Sequence, residues 1–277
     1  MQKKLIAAAV AGALVAPAAM ADGHGVAVSG SIRTGVEYTG DDWQVADNFS
    51  RLRFKASSDL GNGQSAYMNY EFRVNSAQGS IVTGNTQRLS YVGIKGDWGS
   101  LSLGAQWSTA FNTVGTFIDK SARYGGAANV CVQYRMKDSV MLSTQLGGLS
   151  LMADAQMTAG GDSLDRGTVG GLFSIGGLSL GAMYQSADTD CMGVGAALNI
   201  AGIGISGGFV DADGGDSAFG VNASIGGLWV DYETADSIDG VITGSYGLGL
   251  GGGAKMIVEV SNDGTDTKGI GMLRMDF

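Results

Sequence analysis

The stretch that decides the fold reads Leu178-Ser179-Leu180-Gly181-Ala182-Met183-Tyr184-Gln185. Apolar side chains stand at every second position, and the positions between them are small or polar, apart from Met183. Because successive side chains of a β-strand point to opposite faces of a sheet, this alternation predicts a strand with one apolar face and one polar face. Residues 100–107 and 149–157 alternate in the same way.

Short glycine-rich turns separate such strands. They fall at residues 61–63, 96–97, 147–148, 176–177, 201–202, 226–227 and 251–253, where Gly, Asn and Asp supply the positive φ of tight hairpins. Longer polar connections centre on residues 40–42, 75–86, 108–128, 160–166, 188–190, 211–216, 235–239 and 262–267. Seven turns and eight loops join sixteen strands, so the sequence predicts an all-β, 16-stranded antiparallel barrel with its long loops at one rim.

The continuous apolar face of this sheet must be shielded from water by another apolar surface. A second sheet covers it in a soluble sandwich, whereas lipid covers it in an outer-membrane barrel, whose closure removes the strand edges. The regular polar positions and the aromatic residues near strand ends, among them Trp43 and Trp98, favour lipid. A secreted sandwich is the alternative.

The first residues have the features of an export signal. Lys3 and Lys4 precede a short apolar run, and Ala19-Met20-Ala21 matches a cleavage site. We therefore expect residues 1–21 to be a cleaved signal peptide and residues 22–277 to form one barrel domain. The formal net charge of −9 is wrong for a nucleic-acid partner, which needs a basic face.

Few residues suit catalysis or metal binding. The sole histidine, His24, follows the expected cleavage site, and a catalytic triad needs a positioned base, so we expect no enzyme. Cys131 and Cys191 are too few for a zinc site, and the sequence leaves open whether they form a disulfide. We expect no cofactor. Structural calcium at the acidic loops 188–190 and 211–213 is an alternative to ordinary loop polarity.

Three segments resemble one family. Ser29-Gly30-Ser31-Ile32-Arg33-Thr34-Gly35-Val36-Glu37-Tyr38, with Gly40-Asp41-Asp42-Trp43 after it, resembles the first hairpin of alphaproteobacterial general porins. Residues 88–107 resemble the fourth and fifth strands of the wider outer-membrane porin superfamily. The chain ends in Phe277, as outer-membrane barrels do, although Met275 stands where an aromatic residue is commoner.

The resemblance implies a passive, water-filled diffusion channel for small hydrophilic solutes and ions in the bacterial outer membrane. It also implies a homotrimer in contact with lipid and lipopolysaccharide, and recognition of Phe277 by the barrel assembly machinery. The third loop, residues 108–128, would fold inward and narrow the pore. The alternative is a substrate-specific channel for a sugar or an organic anion, against which the inward face offers few aromatic residues, Tyr67 and Trp229 among them.

Because side chains of a strand alternate between its two faces, odd and even positions (the strand parity) predict which charges face the lumen. In the fourth strand it directs Arg88 inward, and Leu89 and Tyr91 outward. The predicted basic wall is Arg33, Arg51, Arg53, Arg73 and Arg88, and the predicted acidic residues are Asp119, Asp231, Glu233 and Glu259. The predicted constriction loop contributes Asn112, Asp119, Lys120 and Arg123.

Opposed charges would set a transverse field across the pore. Since charge that faces lipid is costly, the simpler interpretation is that these residues point inward without a special role. The loop offers one carboxylate, Asp119, beside Lys120 and Arg123, so the sign of ion selectivity stays open.

Overall fold

The computed structural model describes residues 25–81, 88–160 and 164–277, and the expected signal peptide and His24 lie outside them. Eighteen strand segments in these ranges form one antiparallel sheet. They are β1 (Gly25–Tyr38), β2 (Trp43–Asp47), β3 (Arg51–Gly61), β4 (Gln64–Asn75), β5 (Ser80–Ile81), β6 (Leu89–Gly96), β7 (Gly99–Trp107), β8 (Arg135–Leu146), β9 (Leu149–Gln156), β10 (Arg166–Ile175), β11 (Leu178–Ser186), β12 (Cys191–Ile200), β13 (Ile203–Ala212), β14 (Ser217–Ile225), β15 (Leu228–Ala235), β16 (Ile238–Gly251), β17 (Ala254–Asn262) and β18 (Thr267–Asp276).

The sheet closes on itself. β1 pairs with β18 from Ser31 opposite Asp276 to Tyr38 opposite Gly269. On its other side β1 pairs with both β2 and β3, which are one wall strand interrupted at Phe49, whose φ is 58°. β5 is a two-residue extension beside the end of β4. The described segments therefore build sixteen wall strands, and the predicted 16-stranded barrel is confirmed.

The seven short turns lie where the sequence predicts them, but the third loop is longer than expected. It runs over residues 108–134, because β8 begins only at Arg135. The register between β7 and β8 shifts between Gly104 and Gln106, and Asp138 has a φ of 49°. This bulge interrupts the alternation that would have marked the start of the strand.

Side-chain exposure separates the two faces of the wall. Leu180, Val194 and Val230 are about half exposed, as expected of residues that lipid covers. The predicted orientation of one strand is wrong. Leu89 was expected to point outward from β6, but it is buried opposite Glu71, and Val92 and Ile94 are the exposed residues. Both parities of this segment carry apolar side chains, so its outward face was ambiguous in the sequence.

The third loop contains two short helical turns, a π-helical one at Phe111–Gly115 and an α-helical one at Thr116–Ile118. In the described part of the chain no helix is both long and apolar enough to cross a bilayer. The turns bury Val114 and Ile118 against the wall, among residues that include Val210 and Met183.

Glycines of the wall make this close contact possible. A Cβ on Gly181 would lie 1.8 Å from the carbonyl oxygen of Thr113, and one on Gly195 would lie 2.3 Å from the ring of Phe117. We call these residues and their neighbours beneath the helical turns the glycine floor. The glycine floor comprises Gly170, Gly181, Gly193, Gly195, Gly208 and Gly220.

The glycine floor predicts the effect of one added methyl group. Gly181→Ala should destabilise the folded barrel by about 1–3 kcal/mol, the usual cost of overpacking, because the Thr113 backbone cannot move away without its helical turn. Equilibrium unfolding in detergent measures this change. Gly244→Ala is the matched control, since a Cβ there meets nothing within 4 Å, and equal effects of the two variants would contradict the close packing.

Candidate functional site

The third loop lies inside the barrel. Its backbone or side chains form hydrogen bonds with Asp154 on β9, Asp231 on β15, Glu259 on β17 and Glu37 on β1. A single segment that reaches strands so far apart around a closed wall can do so only from within. The loop therefore divides the lumen, and a cavity remains between it and the wall residues of β4, β7 and β8, which we call the passage.

Three buried carboxylates hold the loop by its backbone. Glu259 accepts N–H groups from Ala122, Arg123 and Tyr124 at 2.7–2.8 Å. Glu233 accepts those of Gly126 and Ala128 at 2.8 and 3.0 Å.

The third carboxylate holds the start of the loop, where Asp154 accepts the Thr109 N–H at 2.5 Å. We call Asp154, Glu233 and Glu259 the carboxylate clamp.

The acidic side chains of the wall do not face open water as we expected, because the loop covers them. Asp231, Glu233 and Glu259 do point inward, as parity predicts, but each is at most 2% exposed because the loop covers it. Glu259 serves three loop amides and the Ser245 hydroxyl instead of facing open water. Sequence parity found the direction of these side chains, and it carried no information about what would lie on top of them.

The loop tip is fixed on the β1 side. The Arg123 guanidinium donates two hydrogen bonds to Glu37, at 2.8 and 2.9 Å, and a third to the Asp47 carbonyl at 3.2 Å. The Tyr124 hydroxyl donates to the same Glu37 at 3.1 Å. Arg123 is therefore paired with the wall, and its charge is balanced locally.

A disulfide fixes the returning limb of the loop. Cys131 is joined to Cys191 at the start of β12, with 6.2 Å between the two Cα atoms. The sequence left this pairing open, since only the fold brings the two cysteines together across 60 residues.

The predicted basic wall is largely assembled. Arg51 lies directly opposite Arg73 in the register of β3 and β4, and Arg53 lies opposite Glu71, so these side chains share one face. Glu71 pairs with Arg53 and with Arg88, and lies 3.9 Å from Arg51.

Arg33 forms no ion pair with Glu71, and its Nε donates to the Ser31 hydroxyl at 3.1 Å, but its charge is close enough to interact with those of Arg51 and Arg88. One buried carboxylate thus serves three of the five predicted arginines.

Two further guanidinium groups have no carboxylate partner within the described residues, those of Arg73 and Arg135. Arg73 lies over the ring of Phe49 at 4.8 Å, and Arg135 over that of Trp107 at 5.2 Å, contacts that orient each cation. Both line a cavity of about 520 Å³ between loop and wall, together with Arg88 and Lys137. Sequence reasoning missed Arg135 because it lies beside the bulge.

The remaining loop residues have separate environments. Burial, and then the charge of Glu233, raises the pKa of Asp119, whose carboxylate also accepts the Tyr134 hydroxyl. Desolvation inside the barrel lowers the pKa of Lys120. Asn112 lies in the first helical turn, where its N–H bonds the Ser108 carbonyl at 3.0 Å. The roles of all these residues in permeation stay predictions.

The carboxylate clamp yields a test of its own. In Glu259→Gln the new amide N–H₂ faces loop N–H donors, so bonds worth about 1.5–3 kcal/mol each are lost. Amide exchange at residues 122–124, followed by mass spectrometry, should accelerate about tenfold or more. Asp239→Asn removes a charge at an exposed site and is the matched control. Unchanged protection of residues 122–124 in Glu259→Gln would contradict the clamp.

The barrel fold is shared with known proteins. Residues 7–272 match the family model of the Gram-negative porins. A monosaccharide porin of Halomonas is 26% identical over 222 residues, which are 68% of this chain and 60% of that protein. The chain thus spans less than two thirds of the length of this relative.

Two solved structures share the fold at low sequence identity. The anion-selective porin of Comamonas acidovorans superimposes with a TM-score of 0.74 at 18% identity, over 92% of this chain and all of that one. The trimer form of OmpT from Vibrio cholerae gives 0.74 at 14% identity, over 92% and 100% of the two chains. The chain belongs to the Gram-negative porin family, and its place is the bacterial outer membrane.

Proposed function

We propose that the chain is a general diffusion porin, a passive water-filled channel for small hydrophilic solutes and ions that prefers anions. The observation that carries this is the arrangement of charge around the passage. The acidic side chains of one wall are covered by the loop, whereas the other side of the passage keeps its arginines. Lack of enzymatic activity is part of the proposal.

Electrostatics explains the preference. A narrow aqueous passage with low-dielectric walls focuses the field of the charges that line it. Arg73, Arg88 and Arg135 line the cavity between the loop and the wall, and Glu71 neutralises only part of their charge. Anions would therefore be concentrated at the narrow point, although the chain as a whole carries a net charge of −9.

The surroundings of the channel belong to the same proposal. We expect a homotrimer in lipid and lipopolysaccharide, assembled by machinery that recognises Phe277, and the similarity to a trimeric porin supports the trimer. The alphaproteobacterial branch stays a prediction, and so does the absence of a cofactor.

Calcium at the acidic loops stays an alternative. In the described chain Asp190 accepts the Tyr184 hydroxyl and Asp211 accepts the Ser217 hydroxyl, each at 2.6 Å.

A substrate-specific sugar channel is the second candidate. A relative is named a monosaccharide porin, and an aromatic side chain, Trp229, borders a second cavity of the lumen. The general pore is preferred because a polar passage with few aromatic residues has no continuous surface along which a sugar could slide.

Conductance tests the channel directly. Purified protein added to a planar bilayer should give stepwise, stable current increases, since each inserted assembly opens a fixed aqueous path. Chloride should carry more of the current than potassium, which the reversal potential in a KCl gradient measures. A folded barrel that leaves the bilayer closed would refute the channel, and a cation preference would refute the assignment of charge.

The anion preference has a specific source that mutation can remove. Arg73→Ser with Arg135→Ser should lower the chloride-to-potassium permeability ratio about fivefold per charge, because a unit charge at 4 Å in water is worth about 1 kcal/mol. These two are chosen over Arg51 and Arg88, whose loss would leave the buried Glu71 with Arg53 alone as its partner. The matched control is Lys255→Ser with Lys268→Ser, which removes two largely exposed charges that do not line the cavity of Arg73 and Arg135. An equal shift in both pairs would show that net charge alone sets selectivity.

A further inference from the structure

A second cavity, of about 270 Å³, lies inside the barrel below the loop. Asn199 and Ser224, two residues before the turns at 201–202 and 226–227, line it with Trp229. Lys120 lines it from the loop side. Because short turns mark the periplasmic rim of outer-membrane barrels, this cavity faces the exit of the passage for inward-moving solutes. We call it the exit alcove.

The exit alcove has one aromatic wall with a fixed position. Trp229 packs against a buried apolar cluster formed by Ile257 of β17 with Ile270 and Met272 of β18. Its indole N–H is buried and has no hydrogen-bond partner among the described residues. The ring is therefore held by its apolar contacts.

The roof of the exit alcove is rigid. The Asn222 amide donates to the Phe117 carbonyl at 3.0 Å, and the Ser206 hydroxyl donates to the same carbonyl at 3.1 Å. These bonds satisfy the end of the helical turn of the loop and fix two polar side chains of the cavity. A preformed cavity binds a ligand without the cost of ordering its own groups.

Other polar groups of the exit alcove are available. Within the described chain the amide of Asn199 and the hydroxyl of Ser224 make no hydrogen bond. Lys120 adds an ammonium group with several donors. Together these residues place an amide, a hydroxyl and a cation around an aromatic face.

We propose that the exit alcove binds a single neutral sugar ring. The C–H face of a pyranose would stack on Trp229, and its hydroxyl groups would exchange hydrogen bonds with Asn199, Ser224 and Lys120, the mixture of apolar and convergent polar groups that small-ligand sites use. The cavity lies just below the range of about 300–1,000 Å³ for larger ligands, which suits one ring instead of a chain. A multivalent anion is disfavoured because, among the described residues, Lys120 is the only cation in the lining.

This inference rests on the proposed channel and adds one property to it. A general pore with a shallow sugar site would hold sugars briefly, in the millimolar range, and would still pass ions. The exit alcove shares no lining residue with the basic cavity, so sugar and anion would not compete for the same side chains. Sugar added at the periplasmic rim would reach the exit alcove without crossing the constriction.

The experiment uses D-glucose and the full protein in a planar bilayer. Glucose on the periplasmic side should produce brief current interruptions whose frequency rises with concentration and exceeds that for addition from the other side. Trp229→Leu keeps apolar bulk but removes the aromatic face, and should shorten the interruptions about fivefold or more. Asn199→Ala with Ser224→Ala should shorten them as well, without touching a loop contact.

A control and a second readout separate the possible outcomes. Trp98→Leu is the matched control, because Trp98 lies exposed in the turn after β6, and it should leave the glucose effect unchanged. Glucose should also change tryptophan emission in a saturable way that Trp229→Leu abolishes and Trp98→Leu retains. This titration needs no open channel, so it decides the sugar site even if the bilayer stays closed.

Three results would overturn the inference. The first is ion conductance with no effect of glucose on current or emission, which leaves the proposed channel intact. The second is a glucose effect that survives both the Trp229→Leu and the Asn199→Ala with Ser224→Ala changes. The third is a linear polyol such as sorbitol acting as strongly as glucose, since it lacks the ring face.

Discussion

Hydrogen bonds between buried wall carboxylates and backbone N–H groups of the third loop are the interaction on which the rest of this structure depends. A loop inside a barrel loses water from its amides, and a carboxylate under a loop loses water from its charge, so each group needs the other. Glu259 and Glu233 serve five amides between them, and Asp154 secures the start of the loop. The loop is thereby placed against one wall, and the passage is left beside the other.

This placement decides the electrostatics of the lumen. Carboxylates that would face the arginines across an open barrel are engaged by amides and covered, so a passing ion cannot touch them. The arginine side keeps Glu71, which is shared among its neighbours, and Arg73 and Arg135 rest on aromatic rings instead of carboxylates. The anion preference that we propose is compatible with an acidic protein, because the charges nearest to the passage act on an ion more strongly than distant ones do.

Six glycines of the wall serve the same placement of the loop. A wall that carried ordinary side chains beneath the loop would push its helical turns into the passage, whereas the glycine floor lets Thr113 and Phe117 lie directly on the strands. The disulfide between Cys131 and Cys191 adds a covalent attachment on the returning limb. The loop also separates two cavities of different chemistry. Arginines and a lysine line the cavity between the loop and the wall, whereas an indole ring with amide side chains lines the exit alcove.

The sequence by itself determined the number of wall strands, the seven turns and the inward direction of the charges, since alternation and turn chemistry are local and lipid tolerates only one orientation. Only the tertiary structure decided that Leu89 turns inward, that the loop extends to residue 134, and that Arg135 joins the basic cavity. It also decided that Glu259 holds the loop and that the two cysteines meet. These features depend on cross-strand register and on the path of a loop across the lumen. Such contacts join residues far apart in the chain, and no periodicity within a single strand encodes them.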